Sequence, residues 1–269
     1  LNEINLVIKS NKRMFRILQG DVGSGKTIVS FLSAANVIES NYQCALMGPT
    51  EILAFQHFEL AKKIFKDCEI RIEFLTGKTD PKKKKQILND LRFGKIDLII
   101  GTHALFQKKI AFKNLGYVII DEQHKFGVKQ RSDLARKGGK NCDVLLMSAT
   151  PIPRTMMLTI YGDMDVSRLT EKPKSRLPIL TYSKPEKKID DLIDIIKKNL
   201  AQNNQVFWVC PLIKESQILD YSSVKMRFEW LKKKFPNETS ILHGELKQSE
   251  KDLVLEKFLK KKIKLLVST

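Results

Sequence analysis

Short apolar runs alternate with longer amphipathic stretches through most of the chain. Arg16–Gly20, Cys44–Pro49, Ile72–Thr76, Asp97–Thr102, Tyr117–Asp121 and Asp143–Ser148 are short runs, and several are near-continuous in Ile, Leu and Val. Such runs predict strands covered on both faces. Between them, Thr27–Asn41, Glu51–Lys66, Pro81–Phe93 and Arg154–Tyr161 have the length and period of helices. Alternation of this kind predicts an α/β fold with a parallel sheet and right-handed crossovers. The pattern breaks near Thr170–Ser183, where Pro173 and Pro178 lie among mixed charges and read as a linker. It then resumes with helix Glu186–Asn199, strand Gln205–Cys210, a basic helix at Val224–Phe235, strand Ser240–Leu242 and helix Gln248–Leu259. The last run, Ile263–Thr269, reads as a strand entering a core, so the second unit reads as unfinished.

A length of 269 residues suits one or two domains, and 42% apolar residues suffice for a core. No stretch approaches the roughly 18 apolar residues of a membrane span. Leu1–Asn5 carries no signal pattern, which argues against secretion and for a cytoplasmic protein. The absence of an initiating Met suggests a fragment or a processed chain. Cys44, Cys68, Cys142 and Cys210 are far apart, with no zinc-type spacing, and read as reduced thiols. The balance of 48 basic to 30 acidic residues, +18 net, points to a polyanionic partner, most simply nucleic acid. The runs Lys82–Lys85 and Lys260–Lys262 read first as solvated helix ends or loops, with a binding patch as the alternative.

Chemistry enters at Gly20-Asp21-Val22-Gly23-Ser24-Gly25-Lys26-Thr27, which fits G-x-x-x-x-G-K-[ST] between a strand and a helix, the context of a P-loop. Glycines let backbone N–H groups converge on phosphate oxygens, and the helix N-terminus favours anions. Lys26 would reach the β- and γ-phosphates of ATP, and the Thr27 hydroxyl would ligate Mg²⁺. Downstream, Tyr117–Ile120 runs into Asp121-Glu122-Gln123-His124. Asp121 at a strand end can complete a Walker B metal site, and Glu122 can orient or deprotonate water. His124 beside that pair is a candidate to contact the phosphate region or to relay to another segment. Ser148-Ala149-Thr150-Pro151 places two hydroxyls at another strand end.

Taken together, Gly20–Thr27, Pro49-Thr50-Glu51-Ile52-Leu53-Ala54, Gly101-Thr102-His103-Ala104-Leu105, Asp121–His124 and Ser148–Thr155 resemble motifs I, Ia, Ib, II and III of superfamily 2 helicases. Gln19–Thr27, Asp121–Val128, Ser148–Thr155 and Phe207–Ser216 resemble, more narrowly, the RecG family of branched-DNA helicases. The resemblance implies a RecA-like ATP-binding domain at 1–170, a linker at 171–175 and a partial second RecA-like domain at 176–269. It implies an ATP- and Mg²⁺-dependent DNA helicase or translocase of recombination and repair, acting in fork regression and Holliday junction processing. Lys26 and Glu122 would be catalytic, Gly20–Thr27 would bind nucleotide, and Thr27 with Asp121 would hold the metal. Gln123, His124, Ser148 and Thr150 would couple nucleotide state to domain position. Pro49, Thr50, Gly101, Thr102 and His103 would touch the DNA backbone. Two positions depart from the family: Lys125 stands where Arg is usual, and Pro173-Lys174-Ser175-Arg176 stands where Pro-Pro-Gly-Arg is usual. The chain stops at motif V, without motif VI and its arginine finger. At most feeble hydrolysis is therefore expected of these residues alone, unless a complementing fragment supplies the rest. The alternative is a truncated nucleotide- and DNA-binding remnant.

Overall fold

Each expected apolar run whose position is described is a strand in the computed structural model, which describes residues 1–10, 12–107, 109–122, 139, 142–150, 164–171, 178–185, 188–210 and 217–269. The chain divides into two compact units, Leu1–Leu177 and Pro178–Thr269. In the first, α1 (Asn2–Ile8) precedes β1 (Phe15–Gly20), α2 (Lys26–Glu39), β2 (Gln43–Met47), α3 (Glu51–Ile64), β3 (Ile72–Leu75), α4 (Pro81–Arg92) and β4 (Leu98–Gly101). A 3₁₀ turn at His103–Phe106 then leads to β5 (Leu115–Ile120), β6 (Asp143–Ser148) and β7 (Asp165–Leu169). These strands form one sheet in the order β3-β4-β2-β5-β6-β1-β7, and every recorded pairing is parallel.

Both faces are covered, as the unbroken apolar runs require. Ile17, Ala45, Ile99, Val118 and Leu146 point to one face, against Ile87 and Leu91 of α4. Leu18, Leu46, Ile100, Ile119 and Met147 point to the other, against Ile4 of α1, Phe31 and Ala34 of α2 and Ala61 of α3. The helices begin where capping chemistry allows. The Thr50 hydroxyl accepts from the Leu53 N–H at 3.3 Å, and Asp80 accepts from Lys82 and Lys83 N–H ahead of Pro81.

In the second unit, α5 (Ile189–Ala201), β8 (Val206–Val209), α6 (Gln217–Lys234), β9 (Thr239–Leu242), α7 (Gln248–Leu259) and β10 (Leu265–Ser268) build a parallel sheet in the order β8-β10-β9. Ile193, Ile196, Val224, Leu231, Leu265 and Val267 form its core. On the opposite face of β8, Phe207 and Val209 are 62% and 65% exposed.

Two elements had no counterpart in the sequence reading, α1 and β7. The expected helix Arg154–Tyr161 lies outside the described residues, as do Gln123, His124 and Lys125–Val128. So do Pro151–Thr155 and Pro211–Ser216. Helix α6 begins at Gln217, and the expected start at Val224 falls late because Gln217-Ile218-Leu219-Asp220-Tyr221-Ser222-Ser223 lacks a clear apolar period. All four cysteines are unpaired, and three are buried. Among the described residues no helix is long and apolar enough to cross a membrane.

Asp143, at the start of β6, is buried and accepts the Met14 N–H at 2.6 Å. Burial pushes its carboxyl from near 3.8 up to about 6, while the Met14 bond and Arg13 pull the other way. The folded state therefore holds this proton more tightly than the unfolded chain does. The associated stability is present below pH about 4 and is lost as pH rises through about 6. Asp143→Asn keeps the acceptor and removes the charge. It is expected to flatten the fall in melting temperature between pH 5 and pH 7.5, and to raise stability at pH 7.5 by about 1 kcal/mol.

Candidate nucleotide-binding site

In a parallel sheet the C-terminal strand ends open onto the ligand crevice. Here the register brings the ends of β4, β2, β5, β6 and β1 to one rim: Gly101 pairs with Met47, Met47 with Ile120, Ile120 with Leu146, and Gln19 with Ser148. The loop Gly20–Gly25 leaves the end of β1, and Asp121 follows β5 two strands away. At about 4.8 Å per strand that is roughly 10 Å across the sheet, a span that side chains and a bound triphosphate can bridge.

The loop needs its glycines, for two different reasons. A Cβ on Gly20 would lie 2.5 Å from Ser24 Oγ. Gly23 and Gly25 take φ of 81° and 93°, the left-handed region that favours glycine. The Lys26 ammonium folds back over the loop and donates to the carbonyl oxygens of Gly20 at 2.6 Å and Asp21 at 3.0 Å. Ser24 Oγ is buried and has no hydrogen-bond partner among the described residues. Thr27 is half-buried in the first turn of α2. A glycine-bent loop, with an ammonium across it, a buried hydroxyl lacking a partner among the described residues and a helix N-terminus behind, fits a phosphate chain.

Asp121 is 9% exposed. Its Oδ1 accepts the Glu122 N–H at 3.0 Å, and its Oδ2 lies 2.8 Å from His57 Nε2. Glu122 has φ of 49°, a left-handed conformation uncommon for a glutamate, and this turn accompanies the Asp121–Glu122 bond. Strained backbone at a strand tip is a feature of functional sites. His57 is buried on α3 and was not anticipated. It shares the buried stripe Ala54, His57, Ala61 of that helix, and a polar residue on an otherwise apolar helical stripe was the signal available.

Ser148 ends β6, fully buried, and its hydroxyl meets Thr150 O at 3.1 Å and Thr150 Oγ1 at 3.2 Å. Gln19, level with Ser148 on β1, is 6% exposed, and its Nε2 has no partner among the described residues. A cavity of about 410 Å³ opens beside it, lined by Gln19, Gly20, Asp21, Ala149, Arg168 and Glu171, among others. Pro49 and Thr50 follow β2, and Gly101, Thr102 and His103 close β4. Gly101 lies so near β3 that a Cβ would meet Leu75 O at 2.1 Å. Thr102 is buried, and His103 is exposed at the start of the 3₁₀ turn. Gln123 and His124 lie outside the described residues.

Residues 3–158 match the DEAD/DEAH box helicase family, and residues 187–269 match the helicase conserved C-terminal domain. The chain is 45% identical over 269 residues to the ATP-dependent DNA helicase RecG of Thermotoga maritima, covering 99% of this chain and 34% of that protein. It is 44% identical over 270 residues to the protein of the same name from Borreliella burgdorferi, covering 100% of this chain and 39% of that one. Among solved structures, RecG bound to a three-way DNA junction matches with a TM-score of 0.79 and 40% identity, covering 100% of this chain and 35% of that one. The chain thus spans between a third and two fifths of the length of these relatives.

Proposed function

This chain belongs to the DEAD/DEAH box helicase family and resembles RecG helicases within it, and we propose that it is the motor portion of an ATP-dependent helicase or translocase acting on branched DNA. The observation that carries the reading is the meeting of the Lys26 loop and the Asp121–Glu122 turn at one end of one sheet. The chain then takes 1–170 as the ATP-binding domain, 171–175 as linker and 176–269 as part of a second RecA-like domain.

In this reading the Gly20–Thr27 backbone binds the triphosphate. The Lys26 ammonium exchanges two neutral carbonyls for phosphate oxygens, which are stronger partners. Magnesium, where bound, adds positive charge against the terminal phosphates, and Thr27 with Asp121 would hold it. Glu122 orients the attacking water and accepts its proton. His57 fixes the Asp121 carboxylate through their 2.8 Å contact. Ser148 and Thr150, with Gln123 and His124, relay the nucleotide state. Pro49, Thr50, Gly101, Thr102 and His103 meet the DNA backbone, which positions a strand without reading its sequence. Such a motor would act in the cytoplasm.

Phosphate release by the full-length protein, with and without a three-way junction, tests the proposal. Stimulation by junction DNA of at least 10-fold is expected. Glu122→Gln should bind ATP within about 3-fold of the parent and hydrolyse it at least 10²-fold more slowly. Nucleotide and DNA affinity without any phosphate release would identify a binding remnant instead, and turnover indifferent to DNA would reject the motor.

A further inference from the structure

The lysine run at 82–85 is not used by the nucleotide chemistry, and the fold gives it a definite setting. It opens α4, where positive charge opposes the helix dipole, so helix stability does not account for it. Lys83 has a distant acid, Glu73 at 3.9 Å, and Lys84 donates to Gln107 Oε1 at 3.0 Å. Lys82, Lys85 and Arg92 are exposed along one side of the helix and have no ion pair among the described residues. The acid on the same helix, Asp90, is buried and turned to Arg71 at 2.9 Å. With Lys109, these three side chains line a groove of about 710 Å³ that also touches Gln86 and Asn89. Among the described residues the groove thus presents four cations, two amides and no carboxylate.

We propose that this groove is a track for the phosphate backbone of duplex DNA, continuing from the strand-tip residues. The inference rests on the DNA-motor reading and adds a surface to it. Continuity is provided by the Lys84–Gln107 contact, which ties α4 to the segment that follows His103. The ten residue steps from Lys82 to Arg92 rise about 15 Å along the helix, which matches about four phosphates of one strand at 3.4 Å of duplex axis each. Gln86 and Asn89 offer donors to phosphate or sugar between the cations, without the paired arrangement that reads bases.

The test compares the protein with a K82Q/K85Q/R92Q variant, using a fluorescent 30-base-pair duplex over a salt series. A variant with the same charge loss elsewhere, K9Q/K63Q/K66Q, serves as control. Loss of three phosphate contacts should reduce the slope of log affinity against log salt by about 2.7 and weaken binding at least 10-fold at low salt. The control should leave the slope within about 0.5, and ATP affinity should stay unchanged in both. An unaltered slope in the groove variant overturns the inference alone, since the parent still binds DNA. A parent that fails to bind duplex overturns the motor reading and this inference together. Loss of binding to fluorescent polyglutamate with duplex binding intact would assign the groove to an acidic protein and overturn the proposal.

Discussion

Replacing Lys26 by Ala is expected to weaken ATP binding by about 10²-fold and to bring DNA-stimulated phosphate release down to background. The described contacts of the ammonium are two carbonyl oxygens of its own loop, at 2.6 and 3.0 Å. Nothing in the core depends on it, so the melting temperature should move by no more than about 2 °C. Against a triphosphate the same group makes charge-assisted hydrogen bonds, worth roughly 1.5–3 kcal/mol each. One or two of them account for the expected loss of affinity. The loss in rate is larger, because negative charge on the transferring group is what the ammonium stabilises. Titration with a fluorescent ATP analogue and a phosphate-release assay on the same preparation separate the two effects. Full ATP affinity in Lys26→Ala, with the fold intact, would remove the loop from the nucleotide site.

His57→Ala is expected to have the second-largest effect, and through a different route. Asp121 is almost wholly buried and its Oδ2 rests on His57 Nε2. Removing the imidazole leaves a carboxylate out of water whose remaining partner among the described residues, the Glu122 N–H, is on the other oxygen. Unpairing a buried charge costs about 3 kcal/mol, enough to lower the melting temperature by several degrees. A change in stability alone would also follow from a purely structural histidine, so the deciding readout is magnesium. The Mg²⁺ concentration that half-saturates ATP binding should rise about 10-fold or more, as expected when an orienting partner of a metal-binding carboxylate is lost. His57→Gln retains a donor and should recover most of that rise. An unchanged magnesium dependence in a folded His57→Ala protein would confine His57 to packing.

The sequence showed most where chemistry or burial leaves little choice of residue. The loop at Gly20–Thr27 was legible because phosphate needs bare backbone. The inner strands were legible because a two-faced sheet needs unbroken apolar runs. Strand β7 was not, since Asp165-Val166-Ser167-Arg168-Leu169 alternates polar and apolar residues at the sheet edge and only Ser167 is buried. Its place is set by contacts far away in the chain, which no local pattern carries. Helix α1 is seven residues long and buries Ile4 alone, too little for a period to show. His57 escaped for a related reason. Its meaning comes from Asp121, 64 positions on, and only the fold brings the two together. The groove on α4 was visible as a lysine run, but nothing short of the structure separates Lys82, Lys85 and Arg92 from the lysines that have partners.

The buried Arg16 guanidinium has a mechanical corollary. It donates to Ser167 Oγ at 2.8 Å and Asp165 Oδ2 at 3.1 Å across the β1–β7 seam. Glu3 of α1 lies 3.6 Å from the same group and also takes the Ser167 hydroxyl. The strand that feeds the phosphate cradle and the strand that leaves toward residue 170 are thus pinned to one another, and slippage along that seam would break both Arg16 contacts at once. Because Gly20 pairs with Leu169, the root of the cradle and the exit of β7 lie side by side, and the rivet lower in the seam holds the two level with one another.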